Sequence, residues 1–246
     1  MLSVVMPSHN EESYLEAAVG AVVEGLRGRD AMFEVILVEN GSRDDTLAIA
    51  RHLEASYPEV RTTSLPVADY GAALKAGFEM AQGEVVANFD VDLVDLDFLD
   101  RALAVMSDSS VAAVVGSKRA HGASDRRSPG RRLVTGVFSA TLRYGFGLAA
   151  SDTHGLKTLR RSALAPAVAA SRFGKDIFDT EVLIRAERAD LRIAEIPVSV
   201  DELRPPRSPI VRRIPRTIGG LAALRWALWR EAWSAGSTRR SGRPSG

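Results

Sequence analysis

Four short apolar runs rich in β-branched residues recur through the first half of the chain. They are LSVVMP (Leu2–Pro7), EVILVEN (Glu34–Asn40), GEVVANFD (Gly83–Asp90) and VAAVVGSK (Val111–Lys118). Polar turn residues and then a helical pattern follow each of the first two, the other two repeat the design, and the stretches between them have apolar positions near every 3.6 residues. EESYLEAAVGAVVEGL has that spacing, DDTLAIARHLEASY follows a capping-box pattern of Ser42 with Asp45, and YGAALKAGFEMAQG runs to a helix-stopping Gly83. Strands alternating with helices predict βαβ units, hence an α/β fold with a mostly parallel sheet flanked by helices.

Beyond Lys118 the pattern loosens. RAHGASDRRSPGRR (Arg119–Arg132) is polar, basic and broken by Gly and Pro, which predicts a loop. Helices are expected through Val134–Leu148, near Ser162–Ala170 and over FDTEVLIRAERA, with a strand at RIAEIPVSV. There is no internal repeat. RPPRSP marks a boundary, so the organisation expected is a domain over 1–209, a basic amphipathic helix over 210–235 and a disordered tail over 236–246.

Composition adds little to the fold and more to the chemistry. The 246 residues are 46% hydrophobic and 26% charged, ordinary for one main globular domain. The net charge of +1 conceals an asymmetry, since Glu202–Gly246 holds ten Arg and two Glu, about +8, which leaves the rest near −7. An acidic body with a basic end does not suit a duplex-DNA binder; it suits a membrane surface or another anionic partner. The absence of cysteine excludes disulfides, thiolate zinc sites and a Cys nucleophile, and is compatible with a reducing cytosol. With a strand beginning at Leu2, no signal peptide is expected. The longest apolar region, Leu133–Ala150, is interrupted by Arg143 and three glycines, so no membrane-spanning helix is expected either.

The stretch ANFDVDLVDLDFLD places Asp90, Asp92, Asp95, Asp97 and Asp100 where an apolar strand ends. Ligands of open α/β sheets bind beyond the carboxyl ends of strands. Alternation in an extended chain would point Asp90 and Asp92 the same way, toward one cation, and oxygen ligands suit Mg²⁺ or Mn²⁺. Asp95, Asp97 and Asp100 read instead as helix-entry carboxylates, with Asp95 or Asp97 as the cap.

SVVMPSHNEESYL, VILVENGSRDDT and YGAALKAGFEMAQGEVVANFDVDL, in this order, resemble the family 2 glycosyltransferases of the GT-A fold, which use nucleotide-diphospho sugars. VVGSKR, the basic loop, SDTHGLKTLRRSAL and FDTEVLIRAERADLRIAEIPV look like its dolichyl-phosphate or polyprenyl-phosphate mannosyl- and glucosyltransferase branch, over roughly Leu2–Pro209. The resemblance implies that Pro7, Asn10 and Glu11 lie beside the nucleotide. Glu39 and Asn40 stand where the family usually has two Asp contacting base and ribose. It further implies that Asp90 approaches ribose, metal or diphosphate and that Asp92 ligates the metal. Val94 replaces a Gln frequent in relatives, so metal ligation there is lost, and DTHGLK is one residue shorter than the usual pattern. Asp152 would face the reacting centre, and His154 reads as a hydrogen-bonding loop residue. Lys118, Arg119, Arg131 and Arg132 would clamp the acceptor phosphate, with Lys118 and Arg131 acting in the reaction alongside Asp92 and Asp152.

A phosphomonoester has a second pKa near 6, so it is already an anionic nucleophile at neutral pH and needs cations more than a base. The expected reaction moves a hexose from UDP-glucose or GDP-mannose to a polyprenyl phosphate by single displacement with inversion. A soluble hydroxyl acceptor, with Asp152 as base, and a catalytically silent nucleotide-sugar module are the alternatives. On a helical wheel, Val211, Ile214, Ile218, Leu221, Leu228, Trp229 and Trp233 share a face, broken by Arg225, with Arg212, Arg216 and Arg230 opposite. That pattern predicts peripheral attachment to the cytoplasmic face of a membrane, with packing on the domain or on a second subunit as the alternative.

Overall fold

The computed structural model describes residues 1–29, 31–120, 123–125, 129–153, 155–175, 177–200 and 210–241, with backbone alone at 124, 125, 129, 131, 200, 210–214 and 235–241. The chain divides into two compact units, Met1–Arg204 and Pro205–Gly246.

In the first unit the order is β1 (Leu2–Ser8), α1 (Leu15–Arg27), β2 (Phe33–Asn40), α2 (Thr46–Ser56), β3 (Val60–Leu65), α3 (Tyr70–Met80), β4 (Val85–Asn88), α4 (Leu96–Met106) and β5 (Val111–Ser117). There follow β6 (Ser124–Asp125), α5 (Pro129–Phe146), β7 (Lys157–Arg160), α6 (Arg161–Ala170), α7 (Phe178–Arg188), β8 (Arg192–Pro197) and β9 (Ser199–Val200). Seven strands form one sheet in the order β3-β2-β1-β4-β7-β5-β8, and β6 pairs with β9 separately. Only β7 runs against the others in the large sheet.

Strand alternation divides the core between the two faces. Val4, Met6, Val35 and Leu37 pack with α1, α2 and α4 through Leu15, Val22, Leu53, Phe98 and Leu99. Val5, Ile36, Val38 and Val86 pack with α3, α6 and α7 through Leu74, Phe78, Leu164, Phe178 and Val182. A Cβ at Gly77 would come within 2.3 Å of Val5 Cγ1, so glycine lets α3 lie directly on β1. Pro7 is buried in β1 although β1 is central. Phe89 N–H donates to Val5 O, the last bond on that side before the β4 chain turns away, so a missing N–H two residues later leaves no ladder bond unmade.

The parallel architecture and the flanking helices are as expected, with several local differences. β3 (VRTTSL) and β7 (KTLR) carry too little apolar character to stand out in the sequence. The basic stretch 119–132 is not wholly loop, because it contains β6 and the first turn of α5, where Pro129 occupies the position proline prefers at a helix start. The Ser42–Asp45 box does not form. Ser42 Oγ accepts from Asn10 N–H, and Asp44 Oδ1 accepts from Thr46 N–H at 3.1 Å. α3 ends at Met80 with Ala81 extended, and Gly83 lies past the end, against Ser3. Asp95 is the cap of α4, accepting from Phe98 N–H at 2.8 Å.

The second unit contains α8 (Ile210–Ser241), with Pro215 inside it. The helix therefore continues through 236–241, where a disordered tail was expected, and 242–246 lie outside the described residues. No helix among the described residues is long and apolar enough to cross a membrane.

Candidate active site

Because β1, β2, β4 and β5 run the same way, their carboxyl ends meet at one edge of the sheet. The reversed β7 brings its first residue, Lys157, and the loop before it to the same edge. This single reversal places Asp152 beside the end of β5, which strand spacing in the sequence does not reveal.

The β1 and β2 ends are laced together. Asn10 has φ 54°, a conformation asparagine tolerates better than most residues; its Oδ1 accepts from Arg43 N–H at 2.9 Å. Glu11 is buried, and its N–H donates to Thr46 Oγ1 at 2.7 Å. Glu39 is also buried, with Oε1 accepting from Ser42 N–H and Oε2 from Ser64 Oγ, both at 2.5 Å. Burial pushes the Glu39 carboxyl up, but these donors, with a smaller contribution from His9, outweigh it and hold the group below its ordinary value. Asn40 Oδ1 accepts from Asp69 N–H, and Asn40 O contacts His9 Nδ1, each at 2.8 Å. Both oxygens of Glu39 and the side-chain oxygen of Asn40 thus already hold protein groups, shaping the β2 end from beneath.

At the β4 end the expected extended pair is a turn. Leu93 N–H donates to Asp90 O at 2.9 Å, so Asp92 sits at a turn tip, exposed, while Asp90 is half-buried. A tight turn exposes the third residue where strand alternation would have aligned it with the first. Tyr70 donates to Asp90 Oδ1 at 2.8 Å. Burial, then the charges of Asp90 and Asp179, push the Tyr70 hydroxyl well above the usual tyrosine range, so it stays a donor. Burial also pushes the Asp90 carboxyl up; Tyr70 and Lys157 draw it down, and Asp92 and Asp179 push it up again, leaving it raised.

That balance is the test of a cation here. A half-buried carboxylate repelled by two others gains from a positive charge between them. Among the described residues no group of three His, Cys, Asp or Glu could hold a metal, and the carboxylates this turn offers are Asp90 and Asp92. Two carboxylates fit Mg²⁺ or Mn²⁺, which complete their shells with phosphate oxygens and water.

Several residues of this edge were not evident in the sequence. Lys157 Nζ is 2.9 Å from Asp179 Oδ2, with side chains 3% and 7% exposed, and donates to Gly155 O at 2.8 Å. Glu195 Oε1 accepts from Ser151 N–H and Oγ at 2.7 and 2.9 Å and from Asp152 N–H at 3.3 Å. Glu187 accepts from Ala149 and Ala150 N–H. Four successive amides of the Asp152 loop are therefore held by two carboxylates from α7 and β8. The FDTE and RIAEI segments quoted above contain Asp179 and Glu195, as YGAALKAG and DTHGLK contain Tyr70 and Lys157, but nothing in those patterns gave any of the four a role.

Lys118 and Asp152 are brought together, 3.1 Å apart. Arg119 is exposed, and its Nη1 lies 3.1 Å from where a Cβ on Gly136 would be, so it extends along the first half of α5. Arg132 is exposed in the first turn of that helix. The Arg131 side chain and His154 lie outside the described residues. Val94 packs on the core and contributes no ligand.

The profile of glycosyl transferase family 2 matches residues 3–166. A dolichyl-phosphate beta-glucosyltransferase of Trichomonas vaginalis is 27% identical over 214 residues, covering 82% of this chain and 66% of that protein. Glycosyltransferase AglD of Haloferax volcanii is 31% identical over 226 residues, covering 87% and 35%. The chain thus spans two thirds or less of the length of these two relatives. Among solved structures, the glucosyl-3-phosphoglycerate synthase of Mycobacterium tuberculosis, in complex with Mn²⁺, UDP-glucose and phosphoglyceric acid, aligns with TM-score 0.66 at 20% identity over 92% of this chain and 79% of its own. A mannosyltransferase of Pyrobaculum calidifontis, in complex with GDP-mannose and Mn²⁺, aligns with TM-score 0.61 at 22% identity over 87% and 60%. These likenesses establish the GT-A architecture.

Proposed function

This chain belongs to glycosyl transferase family 2, and from that premise we propose that it transfers a hexose from a nucleotide-diphospho sugar, UDP-glucose or GDP-mannose, to a polyprenyl phosphate. The observation that carries the reading is the arrangement of the sheet edge. An acidic turn, Asp90–Leu93, ends β4, and basic residues, Lys118 to Arg132, occupy the end of β5 and the start of α5. The dolichyl-phosphate names of several relatives support the same acceptor class.

In this reading the laced β1 and β2 ends hold the nucleoside. Asp92 and Asp90 hold Mg²⁺ or Mn²⁺, which when bound neutralises charge on the departing diphosphate. Tyr70 fixes Asp90 from behind. Arg119, Arg131 and Arg132 orient the acceptor phosphate against the anomeric carbon and offset its repulsion from the donor. A phosphate oxygen forms the new bond to that carbon as the bond to the nucleoside diphosphate breaks, and the leaving group keeps the electron pair. Inversion follows from displacement at one face. No proton need be removed from a phosphate dianion, which suits a site where Asp152, the carboxylate beside the end of β5, is engaged by Lys118. The reaction would take place at the cytoplasmic surface of a membrane, where a polyprenyl phosphate presents its headgroup.

The test is incubation of the full chain with Mg²⁺, a polyprenyl phosphate and a panel of labelled nucleotide sugars. Label entering the organic phase with one donor supports the reading. Label released only as free sugar, or only into a water-soluble product, overturns it.

A further inference from the structure

All three tryptophans of the chain lie on α8, at positions 226, 229 and 233. All three are exposed, at 59%, 56% and 69%, and Ile218 is exposed at 61%. At about 100° per residue these four positions occupy a stripe of about 80° on the helix. The exposed stripe is rotated from the face read off the wheel, for it takes in Trp226 and leaves out Leu221 and Leu228. The rings of Trp229 and Trp233 pack at a tilt of 47°, 5.5 Å apart between centroids. Arg230 lies over Trp226 at 4.8 Å. On the rotated stripe Arg225 no longer interrupts the apolar face; it borders one side, and Arg230 borders the other.

We infer that the Trp226–Trp229–Trp233 stripe, bordered by Arg225 and Arg230, is a docking surface for the headgroup layer of an anionic lipid membrane. Tryptophan is an amphipathic ring that favours the boundary between water and hydrocarbon, and exposing every copy on one stripe is unexplained if the stripe faces only water. The charge of the helix selects the occupant. Between Ile210 and Ser241 there are seven Arg and one Glu. Two copies packed stripe to stripe would bring like charges together, whereas an anionic leaflet complements them. The inference deepens the acceptor reading above, but its test contains neither sugar donor nor polyprenyl phosphate, so each can fail alone.

Because no tryptophan lies elsewhere, intrinsic tryptophan emission of the full chain reports on this stripe alone. Phosphatidylglycerol vesicles should shift the emission to the blue, brominated acyl chains should quench it, and salt should reverse both. Phosphatidylcholine vesicles should do neither at the same concentration. Arg225→Gln and Arg230→Gln should each weaken binding to the anionic vesicles roughly fivefold. Co-sedimentation should fall further in a triple Trp→Ser variant whose circular dichroism matches the parent. Unchanged emission and no quenching with phosphatidylglycerol would overturn the inference. So would a dimer in vesicle-free solution that the triple variant abolishes, since the stripe would then be covered by a second copy.

Discussion

Lys118 Nζ and Asp152 Oδ2 are 3.1 Å apart, with side chains 11% and 5% exposed, and they join the end of β5 to the loop before β7. Two residues that the sequence suggested for separate tasks, holding a phosphate and facing the reacting centre, therefore neutralise each other. Removing one charge leaves the other poorly solvated. Lys118→Met should lower stability by on the order of 2–3 kcal/mol, less than a fully buried pair would lose. In urea the midpoint should fall with an unchanged slope. Lys118→Met/Asp152→Asn should recover much of that stability. Full stability in Lys118→Met alone would show that the contact is not structural.

Asp92 is exposed at the tip of a turn, so its neutralisation should separate chemistry from folding. Asp92→Asn should cost no more than about 0.5 kcal/mol in stability. Turnover at saturating Mg²⁺ should fall by on the order of 100-fold, because one anionic ligand to a diphosphate-bound cation is lost. Metal titrations of initial rate would decide the matter, and wild-type turnover with unchanged metal dependence would remove Asp92 from the site.

Arg132 is exposed in the first turn of α5, which follows β5 in the chain, and β4 and β7 separate β5 from β1 and β2 in the sheet. Losing a charge-assisted contact to a phosphate should raise the KM for polyprenyl phosphate in Arg132→Gln by about tenfold. The donor Kd should remain unchanged. Calorimetry showing a selective loss of nucleotide affinity would instead assign the basic segment to the donor.

Glu34 gives a pH prediction away from the site. It accepts from Ser3 Oγ and Gln82 N–H, both at 2.7 Å, and pairs with Arg61 at 2.8 Å. Burial pushes its carboxyl up, but these three donors outweigh it and the net shift is downward. The stabilising contribution is therefore present above the ordinary carboxylate pKa, about 4.3, and is lost as pH falls through the lower folded value. The stability gap between the parent and Glu34→Gln should be full at pH 7 and close below about pH 4. A gap independent of pH in denaturant melts would contradict this.

The sequence by itself determined the layered α/β plan, because continuous β-branched runs alternating with 3.6-residue periodicity admit little else. It also determined that carboxylates would stand at the end of β4 and arginines beyond β5. These are local properties, written in consecutive residues. The tertiary structure decided how those groups are paired. The direction of β7 brought Asp152 to Lys118 and Lys157 to Asp179, partners 34 and 22 residues apart in the chain. A turn, rather than strand alternation, oriented Asp90 and Asp92. Glu39 found Ser64 only because β2 and β3 are neighbours in register. Such pairings depend on which backbone segments the sheet sets side by side, and a one-dimensional pattern carries no record of that adjacency.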